Sequence, residues 1–278
     1  MKRLITIILL LAAVCNAQAQ RVGFAYWDVG RLCDTIPSPF YDDADFTPGG
    51  RMGWTAERYR RKVESVAAVV DSMAMPVTVL CGVENESVVR DIAAACRSDY
   101  SYLHRTLDTR DGLEFAILYF GDVLVAEEVV ADRDNLLVGC RIAGRPTTLV
   151  LSRSAAGAER MAAAARYRRP DAALIVMGRQ NPPKMARRGV ADAFAAEERA
   201  GRGECVRNGV WRFDNRICAD TMLATRAALY ARRELFDASL SAPRPTYDAR
   251  GYAGGVSRCL PLTLIAEWPA GTARSDKK

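Results

Sequence analysis

The run Val77-Thr78-Val79-Leu80-Cys81-Gly82-Val83 begins one residue after Pro76 and carries no charge over its length. Directly upstream, Tyr59, Val63, Val66, Val70 and Met73 recur at the spacing of a single helical face. Thr55 stands where that helix needs an N-cap, and Pro76 ends it. A strand that is apolar on both sides has to be covered on both sides, and an amphipathic helix feeding straight into it supplies one cover. This pairing points to layered α/β architecture and excludes a helical bundle or an all-β barrel. The basic residues Arg58, Arg60, Arg61 and Lys62 fall among the polar positions of the helix and are expected on its solvent face.

The same alternation continues along the chain. Val22 to Tyr26 reads as a short strand, followed by a loop rich in Pro, Asp and Gly from Thr35 to Gly53. Asn85 caps a second helix with Val88, Val89, Ile92 and Cys96 inward. Strand-like runs follow at Glu114–Tyr119, Val123–Val130, Leu136–Ile142 and Thr147–Leu151, with turn residues between them. An Ala-rich helix over Ala155–Arg168 leads to the strand Ala173–Met177. A further helix is expected between Thr221 and Leu235, and Leu262–Glu267 closes the chain as a strand. The cluster Arg166, Arg168 and Arg169 is expected to face solvent. Neither basic cluster is expected to form a platform for single-stranded nucleic acid.

Lys2 and Arg3 precede the apolar run Leu4 to Val14, and Ala17-Gln18-Ala19 offers small residues for cleavage. Residues 1–19 therefore read as an export leader. The run is shorter than the roughly 20 apolar residues a bilayer span takes, so it predicts no transmembrane segment. Lipidation at Cys15 would want a small residue where Val14 stands. A soluble periplasmic or extracellular protein is the expectation, with one domain over 20–269 and a polar tail over 270–278. The formal charge is +6, and Lys2 and Arg3 supply two of those units. Seven cysteines follow the leader, at 33, 81, 96, 140, 205, 218 and 259. Their pairing is left open by the sequence. There is no C-x-x-C, and His104 is the single histidine, which argues against a structural zinc site.

Five landmarks in chain order carry a resemblance. They are Phe46-Thr47-Pro48-Gly49-Gly50-Arg51 with Trp54-Thr55, Leu80-Cys81-Gly82-Val83-Glu84-Asn85, Asp111 to Tyr119, Ile175-Val176-Met177-Gly178, and Gly254-Gly255-Val256-Ser257-Arg258-Cys259-Leu260-Pro261. Together they resemble the endonuclease/exonuclease/phosphatase family, in particular its secreted bacterial members. The resemblance implies a four-layer α/β sandwich, in which two mixed sheets pack face to face with helices outside. It also implies phosphoester hydrolysis with a divalent metal held by hard oxygen ligands.

At each position that carries this chemistry in the family, the chain departs from the pattern. Asp28 stands for an Asn, Gly30 for a Glu, and Gly82 for the principal metal-binding Glu. Gly-Asp-Phe-Asn becomes Gly178-Arg179-Gln180-Asn181, so Arg179 replaces the base and Asn181 remains. The late Asp falls near Asn215, and the terminal Asp-His is Arg258-Cys259. Glu84 and Glu114 keep carboxylates at neighbouring motif positions. An Asn-His pair is missing from Leu149 to Arg153, and His104 cannot replace the lost imidazoles. Carboxylates are lost and arginines gained, so the resemblance implies a cleft that repels cations. Its anion-binding candidates are Arg179, Asn181 and Arg258, facing a phosphate- or carboxylate-bearing ligand without metal. The leading reading is an inactive binding or structural module. The alternative is a phosphodiesterase or phosphatase with magnesium relocated to Asp28, Glu84 and Asn181.

Overall fold

The computed structural model describes residues 20–270. The leader over 1–19 and residues 271–278 of the tail lie outside the described residues. The chain runs β1 (Gln20–Leu32), α1 (Ala56–Met73), β2 (Val77–Val83), α2 (Glu86–Ala95), β3 (Tyr100–His104) and β4 (Glu114–Phe120). It continues through β5 (Leu124–Asp132), β6 (Asn135–Ile142), β7 (Arg145–Ser152), α3 (Ala155–Arg168), β8 (Ala173–Gly178), α4 (Pro182–Ala186), β9 (Val190–Asp192) and α5 (Ala195–Arg199). It ends with β10 (Cys205–Arg207), β11 (Val210–Arg212), β12 (Arg216–Asp220), β13 (Ala224–Leu229), β14 (Tyr247–Asp248), β15 (Gly251–Tyr252) and β16 (Leu262–Trp268).

Two six-stranded mixed sheets result, in the orders β13-β16-β1-β2-β4-β3 and β5-β6-β7-β8-β12-β9. The alternation of side chains along each strand divides the apolar residues among three layers. Phe24, Tyr26, Val79, Phe115 and Ile117 of the first sheet meet Leu136, Val138, Leu149, Ile175 and Ile217 of the second. The intervening Ala25, Trp27, Leu80, Ala116 and Leu118 face outward, under Val63, Val66 and Val70 of α1 and Val88 and Ile92 of α2. On the far side Leu137, Val150, Leu174 and Val176 lie under Ala158, Met161, Ala162 and Ala165 of α3. The molecule is thus an α/β sandwich of four layers. Each fully buried aliphatic side chain contributes about 1.5–3 kcal/mol, and helix and sheet hold one another through these faces.

The helix ends follow local chemistry. Thr55 accepts from the Arg58 amide, Asn85 from Val88 and Ser154 from Gly157. The segment from Thr221 to Leu235 corrects the expected helix: Ala224–Leu229 is an edge strand paired antiparallel with β16, and Arg233–Leu235 makes one 3-10 turn. Only Ala227 and Leu229 pack on the core, so the period of two is written in one alanine and one leucine and is easily read as helix. Among the described residues, no helix is long and apolar enough to cross a membrane.

Two members of the basic clusters also depart from expectation. Arg166 is not a free surface charge, because it pairs with Asp220 at 2.8 Å and donates to the Arg188 and Ala172 carbonyls. Lys62 is buried at 3% exposure and donates to the carbonyls of Val29 and Arg31, 2.9 and 2.6 Å away. Those carbonyls are exposed by the irregularity in β1 between Asp28 and Leu32, so the ammonium anchors the bulged strand end to α1. Burial lowers its pKa from 10.5 to about 7, against the raising influence of Cys33 and Asp28.

This depression has a definite sign. The stability linked to Lys62 is fully present above pH 10.5 and is lost as pH falls through about 7. Wild type should therefore gain stability over Lys62→Met between pH 7 and 10, with a slope difference approaching ~1.4 kcal/mol per pH unit. Urea unfolding of both proteins across this range checks it; parallel pH profiles would refute the assignment.

Candidate functional site

Each sheet contains one parallel pair, β1 with β2 and β7 with β8, and both pairs end at the same rim. The antiparallel neighbours begin there. Leu262 of β16 pairs with Tyr26, Glu114 of β4 with Val83, and Arg216 of β12 with Gly178. Register therefore brings to one edge the residues just before or after those strands, however far apart they are in sequence. Ligands characteristically bind at the carboxyl ends of parallel strands. Here that edge opens into a cleft of about 1200 Å³ lined by Asp28, Gly30, Gly82, Arg179, Asn215 and Arg258, among others.

Seven arginines and four aspartates line this cleft, with no glutamate, lysine or histidine among them. Asp28 lies on the inter-sheet side of β1, and its Oδ1 accepts the Gly30 amide at 2.8 Å. Burial pushes the Asp28 carboxyl above its ordinary value, although the Gly30 bond and the nearby Arg258, Arg153 and Arg179 all act in the opposite direction. Arg153 is braced by a two-pronged pair with Asp111, Nη1–Oδ1 2.7 Å and Nη2–Oδ2 2.6 Å, and also donates to the Leu113 carbonyl. Burial alone would raise the Asp111 carboxyl, but Arg153 holds it below its ordinary value. Arg179 and Arg258 are exposed to the cleft.

The segment bearing Arg258 is strapped to β1. Ser257 Oγ donates to the Asp28 carbonyl at 2.6 Å, and Trp27 Nε1 donates to the Cys259 carbonyl at 2.8 Å. Asn215 is buried at the cleft floor, and its amide donates to Glu204 Oε1 at 2.7 Å. The Tyr26 hydroxyl lies 3.4 Å from Asn215 Oδ1. Burial raises the Glu204 carboxyl to about 8.

At position 82 the main chain itself decides the chemistry. Gly82 has φ +93°, and a Cβ placed there would lie 2.0 Å from the Gly30 carbonyl oxygen. Gly30, at φ +77°, turns that carbonyl toward β2. The position that resembles the principal metal ligand therefore has neither a carboxylate nor room for one.

Four sequence candidates do not line the cleft. Glu84 is buried behind it, accepting from the Asp34 amide at 2.6 Å and the Tyr41 hydroxyl at 2.7 Å. Burial raises its carboxyl to about 7. Glu114 accepts from the Leu107 amide and lies 2.6 Å from His104 Nε2, without hydrogen-bond alignment. Asn181 caps α4, its Oδ1 accepting from the Lys184 amide, and it stands outside the cleft lining. Cys259 is buried against Cys205. Asp28, Glu84 and Asn181 are thus not gathered for a relocated metal. Among the described residues, the trio of metal-capable side chains within reach of one ion is Glu204, Cys205 and Cys259, of which none lines the cleft. The divalent metal implied by the resemblance does not fit the residues present. Arg153 and Asp111, the best-braced pair in the cleft, were not singled out from sequence. The absent Asn-His at the end of β7 was their only trace.

Comparison with known proteins agrees with this architecture. Residues 23–151 match the model described as "Endonuclease/Exonuclease/phosphatase family". No curated protein matches the chain. A family protein from Bacteroides thetaiotaomicron is similar in structure, with TM-score 0.59 and 10% identity, over 90% of this chain and 99% of that one. One from Bacteroides vulgatus gives 0.57 and 9%, over 90% and 99%. D. rerio TDP2 complexed with a single-strand DNA product gives 0.55 and 12%, over 89% and 99%.

The contact at Gly82 is open to direct measurement. Gly82→Ala should cost about 2–5 kcal/mol, combining strain at positive φ with overpacking against the Gly30 carbonyl. Gly49→Ala, where a Cβ meets nothing, should stay within ~0.5 kcal/mol of wild type. Equal denaturation midpoints for the two variants would show that the approach of β1 to β2 is not as tight as described.

Proposed function

We propose that this chain is a non-catalytic member of the endonuclease/exonuclease/phosphatase family that binds anionic ligands in its cleft. One observation carries the reading. Arg153, Arg179 and Arg258 converge on Asp28 in a cleft whose metal-ligand position cannot carry a side chain. Guanidinium groups present planar forks of donors that match phosphate and carboxylate oxygens. The same positive field opposes a divalent cation. In this reading residues 1–19 serve as an export leader, and the ligands are extracellular or periplasmic.

Arg179 and Arg258 are the exposed donors of this reading, and Arg153 is the braced one. Charge-assisted hydrogen bonds contribute roughly 1.5–3 kcal/mol each before desolvation and ordering costs. A few of them support dissociation constants of about millimolar to high micromolar. Phosphate, nucleotides and a short single-stranded DNA are the ligands to titrate, the last because one similar structure holds a DNA product.

In calorimetry, Arg179→Ala and Arg258→Ala should each weaken binding about 10-fold, corresponding to ~1.4 kcal/mol. Arg61→Ala, on the outer face of α1, should leave it unchanged. Identical isotherms for all four proteins would leave the cleft without a role in anion binding.

Catalysis is tested separately. With magnesium or manganese, the protein should hydrolyse phosphodiester, phosphoinositide and sugar-phosphate substrates at background rates. Turnover that is abolished by chelator and by Asp28→Ala would establish an active enzyme instead.

A further inference from the structure

Outside the cleft lining, the chain brings two thiols face to face. Cys205, the first residue of β10, and Cys259, in the segment that carries Arg258, oppose each other in an isolated antiparallel β-bridge. Their sulfur atoms and the Glu204 carboxylate all lie within 4.8 Å of one another. Both cysteines are buried, at 2% and 4% exposure. Residues directly opposed in an antiparallel pairing have Cα atoms roughly 4.5–5.5 Å apart, inside the range that disulfides span. We infer that Cys205 and Cys259 form a disulfide that ties the Arg258 segment to the β10–β11 ribbon.

The surrounding chemistry suits that bond. A hydrogen bond from Cys259 lowers the Cys205 pKa more than burial raises it, while Cys259 itself is pushed up. Either thiol can start the exchange in the undocked segment, here Cys205. It displaces one thiolate from a low-molecular-weight disulfide such as oxidised glutathione. Deprotonated Cys259 then attacks the Cys205 sulfur of the mixed disulfide and releases the second. The two protein thiols lose two protons and two electrons, and the small disulfide becomes two thiols. Because both sulfurs are buried, the exchange takes place while the segment is undocked during folding. A shared metal ion is the weaker reading, since Glu204 already accepts the Asp214 and Asn215 amides.

Oxidised glutathione and dithiothreitol arms test it on the full chain. After alkylation without reduction and digestion, the oxidised protein should yield a linked Cys205–Cys259 peptide lighter by two hydrogens, with every other cysteine alkylated. A loop of roughly fifty residues is closed, so reduction should lower Tm by about 5–10 °C. Cys259→Ser should show no redox-dependent Tm shift. Alkylation of both thiols in oxidised wild type, linkage to a different cysteine, or protection of the pair by added zinc would each overturn the proposal.

Discussion

Burial of the two inner sheet faces against each other is the constraint on which the remaining structure depends. Phe24, Tyr26, Phe115 and Ile117 meet Leu136, Val138, Leu149 and Ile175 across the midplane, and neither sheet is covered without the other. Each sheet also contains one parallel pair, which requires a crossover helix outside it. α1 and α3 take those positions, and the ends of β1, β2, β7 and β8 meet at one rim, marked by Asp28, Gly82, Arg153 and Arg179. The cleft follows from topology before any of its side chains is chosen.

Its chemistry then depends on what occupies the rim. Asp28 is held on the cleft floor by burial and by the Gly30 amide, and guanidinium groups face it from three different segments. Arg153 is locked by Asp111, whereas Arg179 and Arg258 reach in from the exposed edge. A braced fork beside exposed ones suits a ligand with several oxygen acceptors. Behind the rim, Lys62 fastens the bulged end of β1 to α1 through two carbonyls. The strand end beside the cleft is thus tied to α1 by a buried amine that gives up its charge above about pH 7.

Much of the fold was legible because its signals are local. Thr55, Asn85 and Pro76 mark element ends within a few residues, and β2 and α3 follow their apolar patterns closely. Ala224–Leu229 was misread because alanine is at home in helices and leaves almost no alternation to detect. Lys62 was misread because its partners, two carbonyls in a strand irregularity, have no sequence signature. In the cleft, Asp28, Gly82, Arg179, Asn215 and Arg258 were placed by motif. Glu84, Glu114 and Asn181 share those motifs, but their side chains are taken up by hydrogen bonds away from the cleft and a buried contact with His104. The Arg153–Asp111 brace spans 42 residues, and only the folded register brings its ends together.

The approach of Gly82 to the Gly30 carbonyl gives this site a direction in evolutionary time. Loss of a carboxylate is usually a reversible event, one codon away from restoration. Here the Gly30 carbonyl occupies the space a side chain would need. A glutamate at 82 would first have to lift the β1 bulge away, against the two carbonyl bonds of Lys62. Restoring the carboxylate is thus a coupled rearrangement of two strands and a helix, where the sequence suggests a single step.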